Sequence, residues 1–369
     1  MRIIVTITVV LVVTGLIMIY SATAIYAGDK FDDQYYFLKR QLVWSFVGLM
    51  ALLFTSLIPL DSLENLGKPM VVLVWMMLVM VFLPGLGREA GGASRWLRLG
   101  GFSFQPAEAA KLAMIVYIAS FLSRKKEVIE DFRKAVVPPV LVTGITMGLI
   151  VMQPDFGTCV LIGIVIAALM LIAGVRIKHL AWICLGVMPA LWLLIVKEKY
   201  RLQRILVFLD PWKDPGDAGY QVTQSFIGFG SGGVCGRGWG NSIQKLYYLP
   251  ESYTDFIFSV IGEEKGFIGA VAVLGLFAGF VYVAMSISQR AESDFGYLAG
   301  MGVAILIGLQ SVIHMGVVTG CFPTKGLPLP FVSFGGSSLV VSLAAVGLLI
   351  NVARHPVARR REAERRGQV

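Results

Sequence analysis

Ten apolar stretches, each close to the roughly 20 residues a helix needs to cross a hydrocarbon layer, divide this chain. They fall near residues 3–26, 42–60, 69–86, 107–123, 136–152, 157–175, 179–197, 257–287, 296–318 and 336–353. With 56% hydrophobic and 15% charged residues and a mean hydropathy of +0.75, the chain is neither a soluble enzyme, a collagen-like fibre nor a disordered protein. The expected fold is an all-α polytopic membrane protein: one integral membrane domain over 1–369 with ten transmembrane helices. The first run includes Ala22-Thr23-Ala24, a signal-peptide cleavage pattern. Its apolar core outruns the roughly 7 to 15 residues of a signal peptide, so a retained span is expected.

An even number of spans puts both termini on one side. The short loops there hold Lys68, the cluster Arg124, Lys125, Lys126, Arg133 and Lys134, then Arg176, Lys178 and Arg290, and they lead to a basic tail over 354–369. Short loops opposite hold fewer cations, so the basic side is cytoplasmic. The 197–256 segment between helices seven and eight is then a large external loop. Its interleaved aromatics, among them Trp212, Tyr220, Trp239, Tyr247 and Tyr248, have surface to bury, which argues for an ordered cap. Six of the arginines behind the net charge of +9 lie in that tail, which reads as a membrane anchor, not a nucleic-acid arm. Cys159, Cys184, Cys235 and Cys321 show no metal spacing, and no metal ligands are expected.

Several short motifs carry chemistry. GFGSGG at 228–233 matches a dinucleotide fingerprint but follows no strand, and its glycines serve tight turns or close approach. In GFSFQPAEAAK, Pro106 suits a first helical position, while Glu108 and Lys111 share one face of the fourth span. Gln153-Pro154-Asp155 is a hairpin in which Asp155 caps the following helix. A helix starting near Tyr253 would put Asp255 in its first turn, where the dipole favours a carboxylate; Glu263 and Glu264 lie deeper on the same helix. PTKGLPLPFVSFGGSS, from Pro323, cannot be a regular helix, so it should fold into the protein and offer Lys325 and backbone N–H groups to an anion.

In QPAEAAK, QPDFGT, PWKDPGDAGYQVTQS, GNSIQKLYYLPESYTDFIFSVIGEE and PTKGLPLPFVSFGGSS, the chain resembles the SEDS family (shape, elongation, division and sporulation) of membrane-embedded peptidoglycan glycosyltransferases. The wording is closer to the division branch than to the elongation branch. Two positions depart from the pattern: His314 stands where asparagine is expected, and Phe334 replaces a tyrosine.

The resemblance implies polymerisation of lipid II at the outer face of the bacterial inner membrane, with release of undecaprenyl pyrophosphate. It implies Asp255 as the catalytic acid–base group and Glu108 and Lys111 as an essential pair. Lys111, Arg201, Arg204 and Lys325 are the candidates to hold the donor's pyrophosphate; Gln221, Gln224, Ser333 and Ser337 are candidate supporting residues. Because pyrophosphate leaves as a stable anion, it wants cations, either these side chains or a divalent ion such as Mg or Mn. The implied partners are a class B penicillin-binding protein with transpeptidase activity, other division or elongation proteins, and membrane lipids. A lipid II flippase and a noncatalytic scaffold are the rival readings.

In a variant without native cysteines, Asn241→Cys should label from the outside and Lys126→Cys should not. The reverse pattern would contradict the topology.

Overall fold

The computed structural model describes residues 1–90, 93–99, 102–196, 199–213, 216 and 219–365. The helices are α1 Arg2–Phe31, α2 Tyr36–Leu57, α3 Leu60–Met80, α4 Pro106–Ser123, α5 Val137–Val151, α6 Phe156–Ile172, α7 Ile177–Val196, α8 Lys199–Leu209, α9 Tyr220–Gly232, α10 Ile257–Gln289, α11 Asp294–Val318 and α12 Gly336–Arg365. Eight of them (α1 to α5, α10, α11 and α12) are long and apolar enough to cross a membrane; α6 and the first part of α7 are shorter apolar helices.

Helices α4, α12 and α11 form the hub: 83%, 78% and 67% of their most apolar windows are buried, against 17–33% for the other five long helices. Sequence explains the difference. In α4, Ala107, Ala110, Ala113 and Ala119 let neighbours approach on every side, and the helix packs against α3, α11 and α6. The peripheral helices instead keep bulky apolar side chains on an outer face, such as Leu42, Phe46 and Phe54 on α2, as a lipid-facing helix must.

Between α3 and α4 the chain forms a small antiparallel sheet in the order β1 Gly87–Ala90, β2 Ala93–Leu99, β3 Phe102–Phe104. Arg88 pairs with Trp96 and Leu97 with Phe104, and a bulge separates Arg88 from Glu89. The hydropathy pattern gives no sign of this sheet between the third and fourth apolar runs. Strands of three to seven residues give too little alternation to register beside long apolar runs.

Three further differences concern the 220–269 stretch. First, α10 begins at Ile257, so Asp255 lies in the turn before it and not in its first turn. Second, GFGSGG lies at the end of helix α9, not in open loop. Third, α10 is broken at Gly266 (φ 65°, ψ −163°), and the 233–238 segment fills the break. There the Arg237 and Gly238 N–H groups donate to the Glu263 and Glu264 carbonyls, while those of Phe267 and Ile268 donate to the Gly233 and Val234 carbonyls. Only glycines allow this approach: a Cβ at Gly232 would stand 2.1 Å from the Gly262 oxygen, and one at Gly236 2.3 Å from the Glu264 oxygen.

The two buried glutamates complete the junction. Glu263 accepts from the N–H groups of Ile243 (3.0 Å) and Gln244 (3.2 Å) and from the hydroxyls of Ser231 and Ser242. Glu264 accepts from Lys245 (3.1 Å) and from Ser21 of α1 (2.6 Å). They thus anchor the 231–248 segment, while Lys265 sits over the Trp239 ring. Charges retained inside a membrane protein are expected to be paired in this way.

Glu108 and Lys111 form an ion pair of 2.7 Å with both side chains almost fully buried. Removing one partner leaves the other charge uncompensated, which costs about 3–5 kcal/mol at buried sites. Lys111→Ala and Glu108→Ala should each lower the unfolding temperature in detergent sharply and abolish function, whereas Glu108→Leu/Lys111→Met together should recover part of the stability. Single variants with parental melting would show that the pair is inessential.

Candidate active site

A cavity of about 680 Å³ opens where the N-terminal ends of five helices converge. Gln105 precedes α4, Asp155 caps α6, Gln221 is in the first turn of α9, Asp255 lies two residues before α10, and Gly335, Ser337 and Ser338 surround the start of α12. Each end carries a partial positive charge, so the convergence favours an anionic ligand. Arg95 and Trp96 from β2 and Gln203 and Arg204 from α8 close the sides.

The walls are tied together by polar contacts. Arg95 donates to the Gln153 carbonyl (2.9 Å) and the Pro154 carbonyl (2.7 Å), which fixes the sheet to the α5–α6 hairpin. Asp155 caps α6 by accepting from the N–H (3.1 Å) and hydroxyl (2.9 Å) of Thr158, and it also accepts from the Gln105 side chain (3.2 Å). The Ser337 hydroxyl accepts from the Gln105 N–H at 2.9 Å. Arg204 donates to the Thr324 carbonyl (2.9 Å), joining α8 to the irregular 319–335 loop.

Asp255 stands at the centre of this wall. Phe256, not Asp255, occupies the N-cap position of α10, and among the described residues the Asp255 carboxylate makes no hydrogen bond to that helix. It is partly exposed and lines the cavity. Burial, followed by the nearby Glu251 carboxylate, pushes its pKa up to about 7 against the opposing pull of Arg204 and Arg95. Desolvation thus opposes the helix dipole, which favours the carboxylate. The same surroundings press Arg204 downward, mainly by desolvation, with Asp255 opposing.

Of the residues singled out in the sequence, Asp255, Arg204, Gln221 and Ser337 line this cavity. Lys111, Lys325, Gln224 and Ser333 do not. Lys111 corrects the expectation that it grips pyrophosphate: its ammonium is engaged by Glu108 and by the Gln310 carboxamide at 3.0 Å. Lys325 lies near the Phe156 ring, and burial lowers its pKa. Ser333 is a brace, donating to the Thr254 carbonyl (2.6 Å) while accepting from the Leu329 N–H (2.9 Å). The Arg201 side chain lies outside the described residues.

Sequence reasoning missed Arg95, Trp96, Gln105, Gln203, Glu251, Thr254 and Gly326. The RWLR and FQP stretches signalled them only by carrying cations and aromatics beside a motif. A Cβ on Gly326 would lie 2.7 Å from Asp255 Oδ2, so this glycine leaves room for the carboxylate. Asp155 is engaged by Thr158 and Gln105, and the described residues contain no cluster of three metal-binding side chains.

A family model described as cell cycle protein, covering FtsW, RodA and SpoVE, matches residues 1–357. The probable peptidoglycan glycosyltransferase FtsW of Geobacter sp. (strain M18) is 40% identical over 94% of both chains. Stage V sporulation protein E of Bacillus subtilis is 41% identical over 95% of each. Among solved structures, a chain from a peptidoglycan synthase complex that coordinates polymerization and crosslinking superposes with a TM-score of 0.79, at 27% identity, covering 96% of this chain and 97% of that one. RodA of Thermus thermophilus gives a TM-score of 0.71 at 27% identity over 95% of both. Its long apolar helices and its relatives make this an integral membrane protein, and the chain belongs to the FtsW/RodA/SpoVE family, the SEDS family its motifs resemble.

Proposed function

We propose that this protein is an inverting peptidoglycan glycosyltransferase that polymerises lipid II at the outer face of the bacterial inner membrane during division or elongation. The observation that carries the reading is Asp255: a desolvated carboxyl with a pKa near neutrality, in a cavity edged by Arg204, Arg95 and five helix N-termini. A base poised near the working pH combines adequate ionisation with a strong pull on a proton.

In the proposed reaction the Asp255 carboxylate takes the proton from the 4-hydroxyl of the acceptor sugar. That oxygen attacks the anomeric carbon of the donor from the face opposite the pyrophosphate. The carbon–oxygen bond to pyrophosphate breaks, and its electron pair leaves with undecaprenyl pyrophosphate. Arg204, Arg95 and the partial positive charge of the helix N-termini stabilise the charge that develops there. No second carboxyl is needed, because pyrophosphate, unlike a sugar alkoxide, requires no proton to depart.

For the topology we retain ten spans, α6 and α7 joining the eight longer helices. The termini and the 354–369 tail are cytoplasmic, the 197–256 segment lies outside, and one domain covers 1–369. The cavity then faces the side where lipid-linked disaccharide is used. A class B penicillin-binding protein would supply the transpeptidase. A flippase reading fits less well: Glu108, Lys111, Gln310, Glu263 and Glu264 are paired with protein groups and do not line a path.

The test is glycan polymerisation by the purified protein with lipid II and its transpeptidase partner. Asp255→Asn should fold, bind lipid II and polymerise at least about a hundredfold more slowly, within the range of general-base catalysis. Near-normal synthesis by a well-folded variant would overturn the base assignment. Gly326→Ala, which drives a methyl group into the carboxylate, should fold and lose up to about a hundredfold in rate, the scale of a misplaced reacting group. Parental turnover would show that the Asp255 position is not critical.

A further inference from the structure

The buried face of α11 carries two side chains that the reaction as written does not use. Gln310 and His314 stand one turn apart, and each is 2% exposed. Gln310 Nε2 donates to the Pro328 carbonyl at 2.8 Å, and His314 Nδ1 is 2.8 Å from the Leu327 carbonyl. A carbonyl can only accept, so Nδ1 carries the proton in that contact. The two acceptors are consecutive residues, and the next residue toward the N-terminus is Gly326, whose backbone faces Asp255 Oδ2.

We propose that Gln310 and His314 are positioning residues for the reaction, clamping the Leu327–Pro328 backbone so that Gly326 seals one side of the Asp255 carboxylate. The proposal rests on the reading of Asp255 as the base.

The clamp has a defined polarity. Lys111 can only donate, and its ammonium holds Gln310 Oε1 at 3.0 Å; the amide NH₂ is thereby aimed at Pro328. The Glu108–Lys111 pair thus acts on the site through Gln310, although it lies outside the cavity. The rest of the loop is fixed from the other walls: Thr324 by Arg204, Ser333 by the Thr254 carbonyl, and Phe334 through its N–H to the Tyr253 carbonyl at 2.9 Å. The Leu327–Pro328 stretch is held by α11 through His314 and Gln310. His314 exceeds what the contact requires, because its Nε2 is buried with no hydrogen-bond partner. A carboxamide would offer the same donor, so the role needs a donor at this place and not an imidazole.

A loosened clamp has a distinctive consequence. If Gly326 withdraws, water reaches Asp255, desolvation falls, and the carboxyl ionises at lower pH. Activity that requires the ionised base is lost as pH falls through the Asp255 pKa, so its acid limb moves downward from about 7. The other charged groups facing Asp255 stay in place: Glu251 before α10, Arg204 on α8, Arg95 on β2 and Asp155 before α6. Lys325, on the same loop, is also retained.

The experiment measures polymerisation rate against pH for the purified chain with lipid II and its transpeptidase partner, and amide hydrogen exchange over 322–333. His314→Leu should slow the reaction about tenfold, a modest misplacement, lower the midpoint of the acid limb and speed exchange in the loop. His314→Asn should keep most of the rate and the parental midpoint. Gln310→Met, which removes the donor to Pro328 while leaving Lys111 paired with Glu108, should behave as His314→Leu and serves if that variant does not fold. A parental midpoint in folded His314→Leu or Gln310→Met, whatever the rate, would overturn the proposal, as would an asparagine variant as impaired as leucine. Asp255→Asn is run in parallel. If it is inactive while the limb stays fixed in the clamp variants, the clamp alone falls; if it is active, the base assignment falls and the clamp falls with it.

Discussion

Desolvation of a single carboxyl group is the constraint on which the rest of this structure depends. An aspartate in water is fully ionised at neutral pH and is a weak base. Walling Asp255 off between the 319–335 loop, α8 and the sheet raises its basicity. That step would leave the group protonated and useless if taken much further. Arg204 and Arg95 limit the rise, and both line the cavity. The cavity therefore couples two requirements, a base near neutrality and a cationic seat for a leaving group, through the same two arginines.

Holding such a site at the end of a helical bundle poses a packing problem. Five helix N-termini must converge without leaving buried N–H groups unpaired, and irregular backbone is tolerated at membrane depth only where protein covers it. Side chains solve this locally: Asp155 caps α6, Ser337 meets the Gln105 N–H, and Glu263 takes two N–H groups of the 242–248 stretch. The break at Gly266 brings the chain's largest insertion into the bundle, so that it is part of the wall and not an appendage.

How much of this was legible in the sequence follows from the range of each signal. Long apolar runs correspond to helices because one helix satisfies its own backbone; Pro106 marks the start of α4 as its missing N–H suggests. The proline-rich stretch from Pro323 reads as irregular and folded into the protein; it is irregular, and Leu327 and Leu329 to Ser333 are buried. The three-stranded sheet, the two helices α8 and α9, and the break in α10 were not legible. Their stability comes from partners distant in sequence, such as Gly232 against Gly262. For the site, Asp255 stands out by charge within a specific motif, and Arg204 by charge in the large external segment. Arg95 and Gly326 did not, since only the folded chain brings them to Asp255.

The central claim is that Asp255 changes protonation near neutral pH, and infrared difference spectroscopy of the purified protein tests it directly. A protonated-carboxyl band that titrates with a midpoint near 7 and vanishes in Asp255→Asn is the predicted result. A band titrating in the ordinary carboxylate range, or one that survives the substitution, would contradict the account.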